Sequence, residues 1–392
     1  MYKKNILTLF FVFLFLLSGC AVKQPSEEKN LIIEQQYIKA VFIPYYEMSE
    51  FTINSNENEF KNKINKAFKN LEDNGFNRVT VHVRPCADAF YKSTYFPISE
   101  YCFGAQGSDL LFDPLEIMIE IAHKHNLSIE AWINPYRVSQ SNDYSKLSNT
   151  NKAFEWMNTQ KVYSCDNGLY FNPADKDVNE LIVNGVKEIV SNYAVDSVCF
   201  DDYFYPTKAE DIDEGYYDDY KANGGEKSLQ DWRRDNVSNM VKAVYSAIKE
   251  INPMVSFGIS PASNIDNDYS NLYADVEKWS SEEGYIDYIC PQIYFGFQNE
   301  SHPFMKTVKL WCNTASCRLY VALPMYKSSK EDEFAGNGGR LEFVKNNDVV
   351  ARQITYLSKL DQVKGFYLFS YSSLKDNEET KNLYSAMQKS FE

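Results

Sequence analysis

The feature that most constrains this chain is a strand–helix unit that recurs eight times along it. Short β-rich runs alternate with longer segments whose apolar residues recur at three- and four-residue spacing, as in helices that cover a sheet. The predicted strands span residues 38–43, 78–83, 127–133, 195–200, 254–259, 286–293, 319–324 and 364–370. The predicted helices span residues 58–74, 113–126, 177–193, 229–251, 270–283, 303–314, 348–360 and 376–390.

Eight such units favour a closed barrel. Strands separated by helices pair in parallel through crossovers, and eight of them complete a (β/α)8 barrel. An open doubly wound sheet is the alternative, but no GxGxxG motif follows the first predicted strand. We therefore predict an α/β fold, a TIM barrel that occupies residues 37–392 as one domain.

Three connections of the predicted barrel are long: residues 136–176, 203–228 and 325–347. They follow the third, fourth and seventh strands, so all three should lie on the C-terminal face. Barrel enzymes hold their active sites on that face.

The N-terminus has the features of an export signal. Two lysines precede an apolar run at residues 6–17, which is too short to span a bilayer. The run ends in Leu17-Ser18-Gly19-Cys20, which resembles the lipobox of bacterial lipoproteins. An ordinary signal peptide with an incidental cysteine is the alternative. The lipobox resemblance implies a signal peptide at residues 1–19, a lipid on Cys20, a flexible tether at residues 20–36 and a protein anchored to the cell membrane, outside the cytoplasm.

The net charge and the cysteine and histidine counts disfavour several other classes of protein. The net charge of −14 disfavours nucleic-acid binding, because little would neutralise the phosphates. Seven cysteines follow Cys20, an odd number without repeated spacing and a poor disulfide framework. Disulfides between Cys86 and Cys102 and between Cys312 and Cys317 are possible, but the sequence predicts neither. Four histidines and no HExxH or CxxC motif disfavour zinc. We expect no metal, no cofactor and a monomer.

Polar and aromatic residues follow at least five predicted strands, where a barrel rim would bring them together. The predicted substrate-binding residues are Arg84, Asp88, Tyr91, Trp132, Asn134, Tyr136, Arg137, Tyr203, Ser260, Gln292 and Tyr294. Aromatic rings can stack on the apolar faces of sugars while phenols bind hydroxyl groups. The alternative for the polar members is structural: they satisfy strand-end backbone groups, and Arg84 pairs with Asp201.

Two consecutive aspartates at the end of the fourth strand are the predicted catalytic residues. Side chains alternate along a strand, so Ser197, Cys199 and Asp201 share one face. Because these side chains are small, this face suits the crowded barrel interior, and Asp201 should point into the mouth. Asp202 adjoins it. Neighbouring carboxylates repel, which raises one pKa and leaves the other group ionised; a loop cap is the alternative.

A glycosidase generally needs two carboxyl groups on opposite sides of the scissile bond. Two neighbouring aspartates are poorly placed to supply that separation. The candidate partners are Glu47, Asp88, Glu130 and Asp287. Asp287 is discounted because it starts its strand, and Glu130 could instead be a paired interior charge. The partner stays open.

Several motifs occur together and in order. They are NRVTVHVRPCADAFYKS (77–93), FDPLEIMIEIAHKHNLSIEAWINPYR (112–137), LYFNPADKDV (169–178), VDSVCFDDYFYP (195–206), DWRRDNV (231–237), VSFGISP (255–261) and IDYICPQIYF (286–295). Together they resemble the bacterial glycosyl-hydrolase-like family 10 from about residue 38 onward. The resemblance implies a (β/α)8 barrel that acts on glycans, peptidoglycan glycan strands being the substrate class of some relatives. Family members usually read HAW where this chain has Glu130-Ala131-Trp132, and commonly DPG where it has Asn172-Pro173-Ala174.

These features together predict a secreted glycoside hydrolase that acts on O-glycosidic bonds of a cell-wall or extracellular polysaccharide. Asp201 would act as nucleophile or acid/base, with Asp202 or a rim acid completing the pair. The alternatives are a glycan-binding surface lipoprotein without catalysis and a surface scaffold or adhesin. Lyase or transglycosylase chemistry also stays open.

Overall fold

Eight parallel strands form a closed barrel in the computed structural model, which describes residues 36–391. The strands are β1 (Ile38–Ile43), β2 (Arg78–Arg84), β3 (Ser128–Ile133), β4 (Ser197–Phe200), β5 (Ser256–Ile259), β6 (Tyr288–Ile289), β7 (Arg318–Leu323) and β8 (Val363–Leu368). Each strand pairs with its neighbours in the chain, and β8 closes onto β1. This confirms the predicted (β/α)8 barrel. The predicted signal peptide, Cys20 and most of the tether lie outside the described residues.

A helix follows each strand and covers the outside of the barrel. The helices are α1 (Glu57–Asp73), α2 (Pro114–Lys124), α3 (Lys176–Asn192), α4 (Leu229–Ile251), α5 (Val276–Ser281), α6 (Phe304–Thr314), α7 (Val349–Leu357) and α8 (Glu378–Phe391). Polar caps explain where several begin. Asn56 and Glu59 form a capping box at the start of α1, and the Asp113 side chain caps α2, whose first residue is Pro114.

Three elements differ from the prediction. The predicted sixth strand shrinks to Tyr288–Ile289, since Pro291 has no N–H to donate to a ladder. The predicted fifth helix divides into Ile265–Asn271 and α5, because Tyr273 adopts a left-handed φ of 53° that no helix accommodates. A helix at Tyr45–Thr52, directly after β1, was not predicted.

The three predicted long connections rise above the C-terminal ends of the strands, and a fourth joins them. The connection after β3 contains a small antiparallel sheet of Arg137–Ser139, Val162–Cys165 and Gly168–Phe171. Short helices occupy the others: Glu214–Ala222 after β4, and Gly336–Gly339 and Glu342–Lys345 after β7. The fourth, between β2 and α2, includes the helix Glu100–Phe103.

The barrel interior is packed around one buried ion pair. Arg78 of β2 lies 3.3 Å from Glu130 of β3, and both side chains are buried. Thr80 and Tyr288 donate hydrogen bonds to the same carboxylate, at 2.8 and 2.5 Å. Gly258 leaves the space that the Tyr288 ring occupies, because a Cβ there would lie 2.2 Å from the ring. The predicted alternative for Glu130, a paired interior charge, is confirmed.

The seven cysteines of the described residues are all free, so neither of the two possible disulfides forms. Cys199 and Cys290 are fully buried and pack in the barrel interior as small apolar side chains. No helix within residues 36–391 has the length and apolar character needed to cross a bilayer.

Candidate active site

A cavity of about 230 Å³ opens at the C-terminal mouth of the barrel. Eight predicted site residues line it: Trp132, Arg137, Asp201, Asp202, Tyr203, Ser260, Gln292 and Tyr294. The remaining lining residues are Phe42, Pro44, Tyr45, Tyr46, His82 and Phe369. The pocket thus combines two carboxylates, one guanidinium and several aromatic rings.

Asp201 lies deep in this pocket, as the alternation along β4 predicts. Its side chain is 3% exposed. One carboxylate oxygen accepts hydrogen bonds from Trp132 Nε1 at 3.1 Å and from Asn134 Nδ2 at 3.3 Å. Burial and then the adjacent charge of Asp202 raise the pKa of Asp201 to about 7, against the opposing effects of Arg137 and Trp132. The carboxyl group can therefore hold or release a proton near neutral pH.

Asp202 lies nearer the opening and is partly exposed. Desolvation raises its pKa, and a hydrogen bond from Gln292 and the charge of Arg137 oppose that rise. Because the two carboxyl groups interact, protons bind to the pair rather than to either residue alone.

Arg137 supplies the positive charge beside this pair. Its Nε and Nη2 both donate to the Pro85 carbonyl, at 3.0 and 2.9 Å, which fixes the guanidinium. The guanidinium also lies 4.9 Å from the centre of the Tyr203 ring, whose side chain is 42% exposed at the rim. A fixed cation in this position can bind an anionic or polar substrate group.

Four rings form the apolar side of the pocket, here called the aromatic wall: Phe42, Trp132, Tyr294 and Phe369. Trp132 lies 5.2 Å from Phe42 and 6.3 Å from Phe369, and Tyr294 lies 5.7 Å from Phe369 between ring centres. The wall comes from four different strand ends, which fixes its shape. It provides the flat apolar surface on which a sugar ring can stack.

Ser260 and Gln292 line the pocket but are also committed to backbone groups. Ser260 Oγ donates to the Cys290 carbonyl at 2.8 Å, and Gln292 Nε2 donates to the Ser260 carbonyl at 2.9 Å. The alternative prediction, that these two side chains satisfy backbone groups at strand ends, therefore holds in the structure. The Gln292 side chain additionally contacts Asp202.

His82 is a pocket residue that the sequence reasoning missed. It stacks on Trp132 with ring centres 3.6 Å apart, is 2% exposed, and neither ring nitrogen has a hydrogen-bond partner. Desolvation, followed by the charge of Arg137, lowers its pKa well below the ordinary value, so the ring is neutral. His82 could have been predicted to point inward, because side chains alternate along β2 and both Arg78 and Thr80 point into the barrel.

Arg84 was predicted to bind substrate or to pair with Asp201, but it points away from the pocket. A β-bulge between His82 and Arg84 shifts the register against β3, and the extra residue turns Arg84 to the outer face. Its guanidinium there lies 4.4 Å from the Phe96 ring and against Gly185 of α3.

Four other predicted residues lie behind the pocket rather than in it. Tyr136 is buried and donates to Asn179 at 2.9 Å. Tyr91 packs 5.6 Å from the Tyr193 ring. Asp88 accepts a hydrogen bond from Gln106. Asn134 supports the pocket indirectly, since it donates to Asp201 and accepts from the Arg137 backbone N–H at 2.9 Å.

None of the four candidate partner acids lines the pocket. Glu47 accepts hydrogen bonds from Ser370 and Ser372. Asp88 is buried under the connection after β2, where desolvation raises its pKa to about 6. Glu130 pairs with Arg78 inside the barrel, and Asp287 binds Lys249 at the opposite end. Among residues 36–391, the acids that line the pocket are therefore Asp201 and Asp202.

The described part of the chain brings no three His, Cys, Asp or Glu side chains together in a way that could hold a metal ion. The chemistry available from the pocket's own side chains is acid/base work by the aspartates. Arg137, Gln292 and His82 add hydrogen bonding.

Comparison with known proteins places the chain in a family. The family model Glycosyl hydrolase-like 10 matches residues 38–335. Glycosyl hydrolase YngK of Bacillus subtilis is 37% identical over 341 residues, which cover 81% of this chain and 64% of YngK. Glycosyl hydrolase DigH of Escherichia coli O6:H1 is 31% identical over 354 residues, which cover 81% of this chain and 77% of DigH.

A solved structure shares the fold. The glycoside hydrolase domain of PgaB (BpsB) from Bordetella bronchiseptica superposes with a TM-score of 0.59 at 8% identity, over 88% of this chain and 98% of that chain. The chain spans less than two thirds of the length of YngK. The family match and the two relatives confirm the resemblance inferred from the motifs: this chain belongs to the Glycosyl hydrolase-like 10 family.

Proposed function

We propose that this protein hydrolyses O-glycosidic bonds of a cell-wall or extracellular polysaccharide, with the glycan strands of peptidoglycan as the favoured substrate. Asp201 and Asp202 are the carboxyl pair of this reaction. The observation that carries the proposal is their joint position in the barrel mouth, in a pocket that the aromatic wall also lines. The naming of YngK and DigH as glycosyl hydrolases supports it.

The electrostatics of the pair suit acid/base catalysis of glycoside cleavage. The leaving oxygen of a sugar needs a proton, so the protein must keep one carboxyl group protonated near neutral pH. The pair meets that requirement, because burial raises the pKa of both groups, that of Asp201 to about 7. Arg137, Gln292 and the aromatic wall then bind and orient the sugar, which positions the bond beside the pair.

The lipobox resemblance locates the proposed activity. A lipid on Cys20 would anchor the enzyme to the cell membrane outside the cytoplasm, where cell-wall glycans are found. The polysaccharide and the membrane are the partners we propose, and we propose that the protein acts as a monomer.

The proposal is tested with Asp201→Asn and Asp202→Asn, assayed by release of reducing ends from purified peptidoglycan glycan strands. Each substitution should lower kcat by at least about 1,000-fold while the melting temperature changes little, because Asn preserves shape but cannot transfer a proton. Asp266→Asn, at an exposed position outside the pocket, is the control. Undiminished turnover in both pocket variants would refute the proposal. Binding of strands without new reducing ends in the wild type would identify a glycan-binding lipoprotein instead.

A further inference from the structure

The two pocket acids occupy consecutive positions at the end of one strand. Asp201 and Asp202 directly follow β4, so one strand end supplies both acids of the pocket. Within the described residues, most of the remaining lining consists of the aromatic wall, His82, and Tyr45 and Tyr46 of the helix after β1, and no acid lies among them. The four other candidate acids are held elsewhere by their own hydrogen bonds or ion pairs.

This arrangement leaves one role in glycoside hydrolysis unfilled. The ordinary mechanisms place a second carboxylate across the sugar from the proton donor, either as nucleophile or as base for water. Consecutive residues of one strand end can protonate the leaving oxygen, but they are poorly placed to put a second carboxylate across the sugar from the proton donor. The attacking group must therefore come from outside this set of side chains. A 2-acetamido group on the sugar can supply it, since its carbonyl oxygen reaches C1 of the same ring.

We propose, on the basis of the function proposed above, that the substrate is a 2-acetamido-2-deoxyhexoside and that its own acetamido oxygen is the nucleophile. Asp201 binds the acetamido N–H, and Asp202 protonates the leaving oxygen.

The reaction balances as two steps. In the first, the bond from C1 to the glycosidic oxygen breaks while the acetamido oxygen bonds to C1; Asp202 gives its proton to the leaving oxygen and Asp201 takes the N–H proton. The intermediate is an oxazoline. In the second, Asp202 takes a proton from water, the water oxygen bonds to C1 as the oxazoline C–O bond breaks, and Asp201 returns its proton to nitrogen. One water is consumed, and C1 keeps its configuration.

The assignment of the two aspartates follows from their surroundings. Asp201 is the deeper group and already accepts from Trp132, Asn134 and the Tyr203 backbone N–H. A further donor, the substrate N–H, favours its ionised form, so the proton shared by the pair passes to Asp202. Asp202 is the more exposed group, so we place the leaving part of the glycan on its side. Phe42 and Trp132 provide apolar surface for the acetamido methyl.

The test uses one glycan prepared as an N-acyl series. Peptidoglycan glycan strands are N-deacetylated and then re-acylated with acetyl, fluoroacetyl, difluoroacetyl or trifluoroacetyl groups, with propionyl as a control for size. Fluorine withdraws electrons from the attacking oxygen, so the rate of reducing-end release by the wild-type protein should fall at each step. From acetyl to trifluoroacetyl strands, the rate of reducing-end release should decrease by about 100-fold or more. For propionyl strands, the rate should decrease much less. NMR of the first-formed product should show retained configuration.

The outcomes separate the two proposals. Equal rates across the fluorinated series, or an inverted product, would overturn the acetamido mechanism and leave the glycosidase intact. Failure to cleave native and re-acetylated strands would overturn the proposed function, and this inference with it. Cleavage of strands that carry free amines at the rate of acetylated strands would also overturn the inference, because an ammonium group has no oxygen to attack C1.

Discussion

At the scale of single residues, His82 is a buried polar group without a partner. The residue lines the pocket, and its two ring nitrogens are buried without a hydrogen bond, although buried polar groups in proteins are almost always paired. The simplest partner is a substrate hydroxyl, since a neutral imidazole offers one donor and one acceptor.

We predict that His82→Phe keeps the stack on Trp132 but raises KM about 10-fold, the value of roughly one hydrogen bond. The melting temperature should stay the same or rise, because the variant no longer buries unpaired nitrogens. Enzyme kinetics on glycan strands and a thermal unfolding scan check both parts, with His123→Phe, on the outer helix α2, as the control. An unchanged KM would show that the imidazole does not touch substrate.

The residues also show what a sequence pattern can and cannot predict. Alternation along a strand predicted the inward direction of Asp201, and the same rule applied to β2 would have found His82. The rule would still have misplaced Arg84, because the β-bulge that turns this residue outward depends on pairing with β3 and leaves no mark in the local pattern. Whether Ser260 faces substrate, backbone or both likewise depends on contacts between strands.

At the scale of elements, the strands and most helices were predictable because hydrophobic periodicity is a local property. The errors lie where a single residue interrupts the period, at Pro291 and at Tyr273. The connection between β2 and α2 was not counted as long, although it packs beside the pocket and buries Asp88. Its form depends on tertiary contacts such as the hydrogen bond from Gln106.

The connection after β4, which leads away from the two aspartates, is held to α4 by one buried ion pair. Arg233 binds Asp213 through Nε at 2.9 Å and Nη2 at 2.5 Å, and it also donates to the Ala209 carbonyl. Both charged side chains are buried. Removal of one partner therefore leaves an uncompensated charge in a site that water does not reach.

We predict that Arg233→Met lowers the free energy of unfolding by about 3–5 kcal/mol. The double variant with Asp213→Asn should lose less than the sum of the two single variants, because no isolated charge is left. Urea unfolding of all four proteins measures the cycle. Additive losses would show that the two side chains do not act as a pair.

At the scale of the whole molecule, the free energy of unfolding depends on buried acids that hold protons in the folded state. Asp268, on the short helix after β5, is the extreme case: it is fully buried and its carboxyl oxygens have no hydrogen-bonding side chain. Burial and then the charge of Asp202 raise its pKa from 3.8 to about 9, although a backbone hydrogen bond at Ala262 opposes this.

The sign of the resulting pH dependence follows from that raised pKa. Between the unfolded value near 3.8 and the folded value near 9, the folded state binds the additional proton. The contribution of Asp268 to the free energy of unfolding is thus fully present below about pH 4. It is lost as the pH rises toward the folded pKa, by at most about 1.4 kcal/mol per pH unit. Asp268→Asn should remove this pH dependence. Between pH 5 and pH 8, the free energy of unfolding of the variant, measured in urea, should therefore exceed that of the wild type by an amount that grows with pH. Asp266→Asn, exposed on the same helix, should track the wild type. Parallel curves for all three proteins would contradict the prediction.

At the same scale, the lipobox resemblance predicts that the location of the protein depends on one atom, the sulfur of Cys20. If the lipobox resemblance is correct, Cys20→Ser prevents lipid attachment, and the protein should move from the membrane fraction to the soluble extracytoplasmic fraction with its kcat on isolated glycan strands unchanged. Cys312→Ser is the matched control, because it removes a partly exposed cysteine of α6 and leaves the lipobox intact. Fractionation and labelling with a radioactive fatty acid distinguish the two variants.

The anchor should also affect cleavage in cells. Since the cell wall is a fixed substrate, the released enzyme should cleave it less efficiently in cells than the anchored enzyme, although both should act equally on strands in solution. A wild type without label would mean that the chain is exported by an ordinary signal peptide, and retention of label and membrane location in Cys20→Ser would mean that a lipid is attached elsewhere.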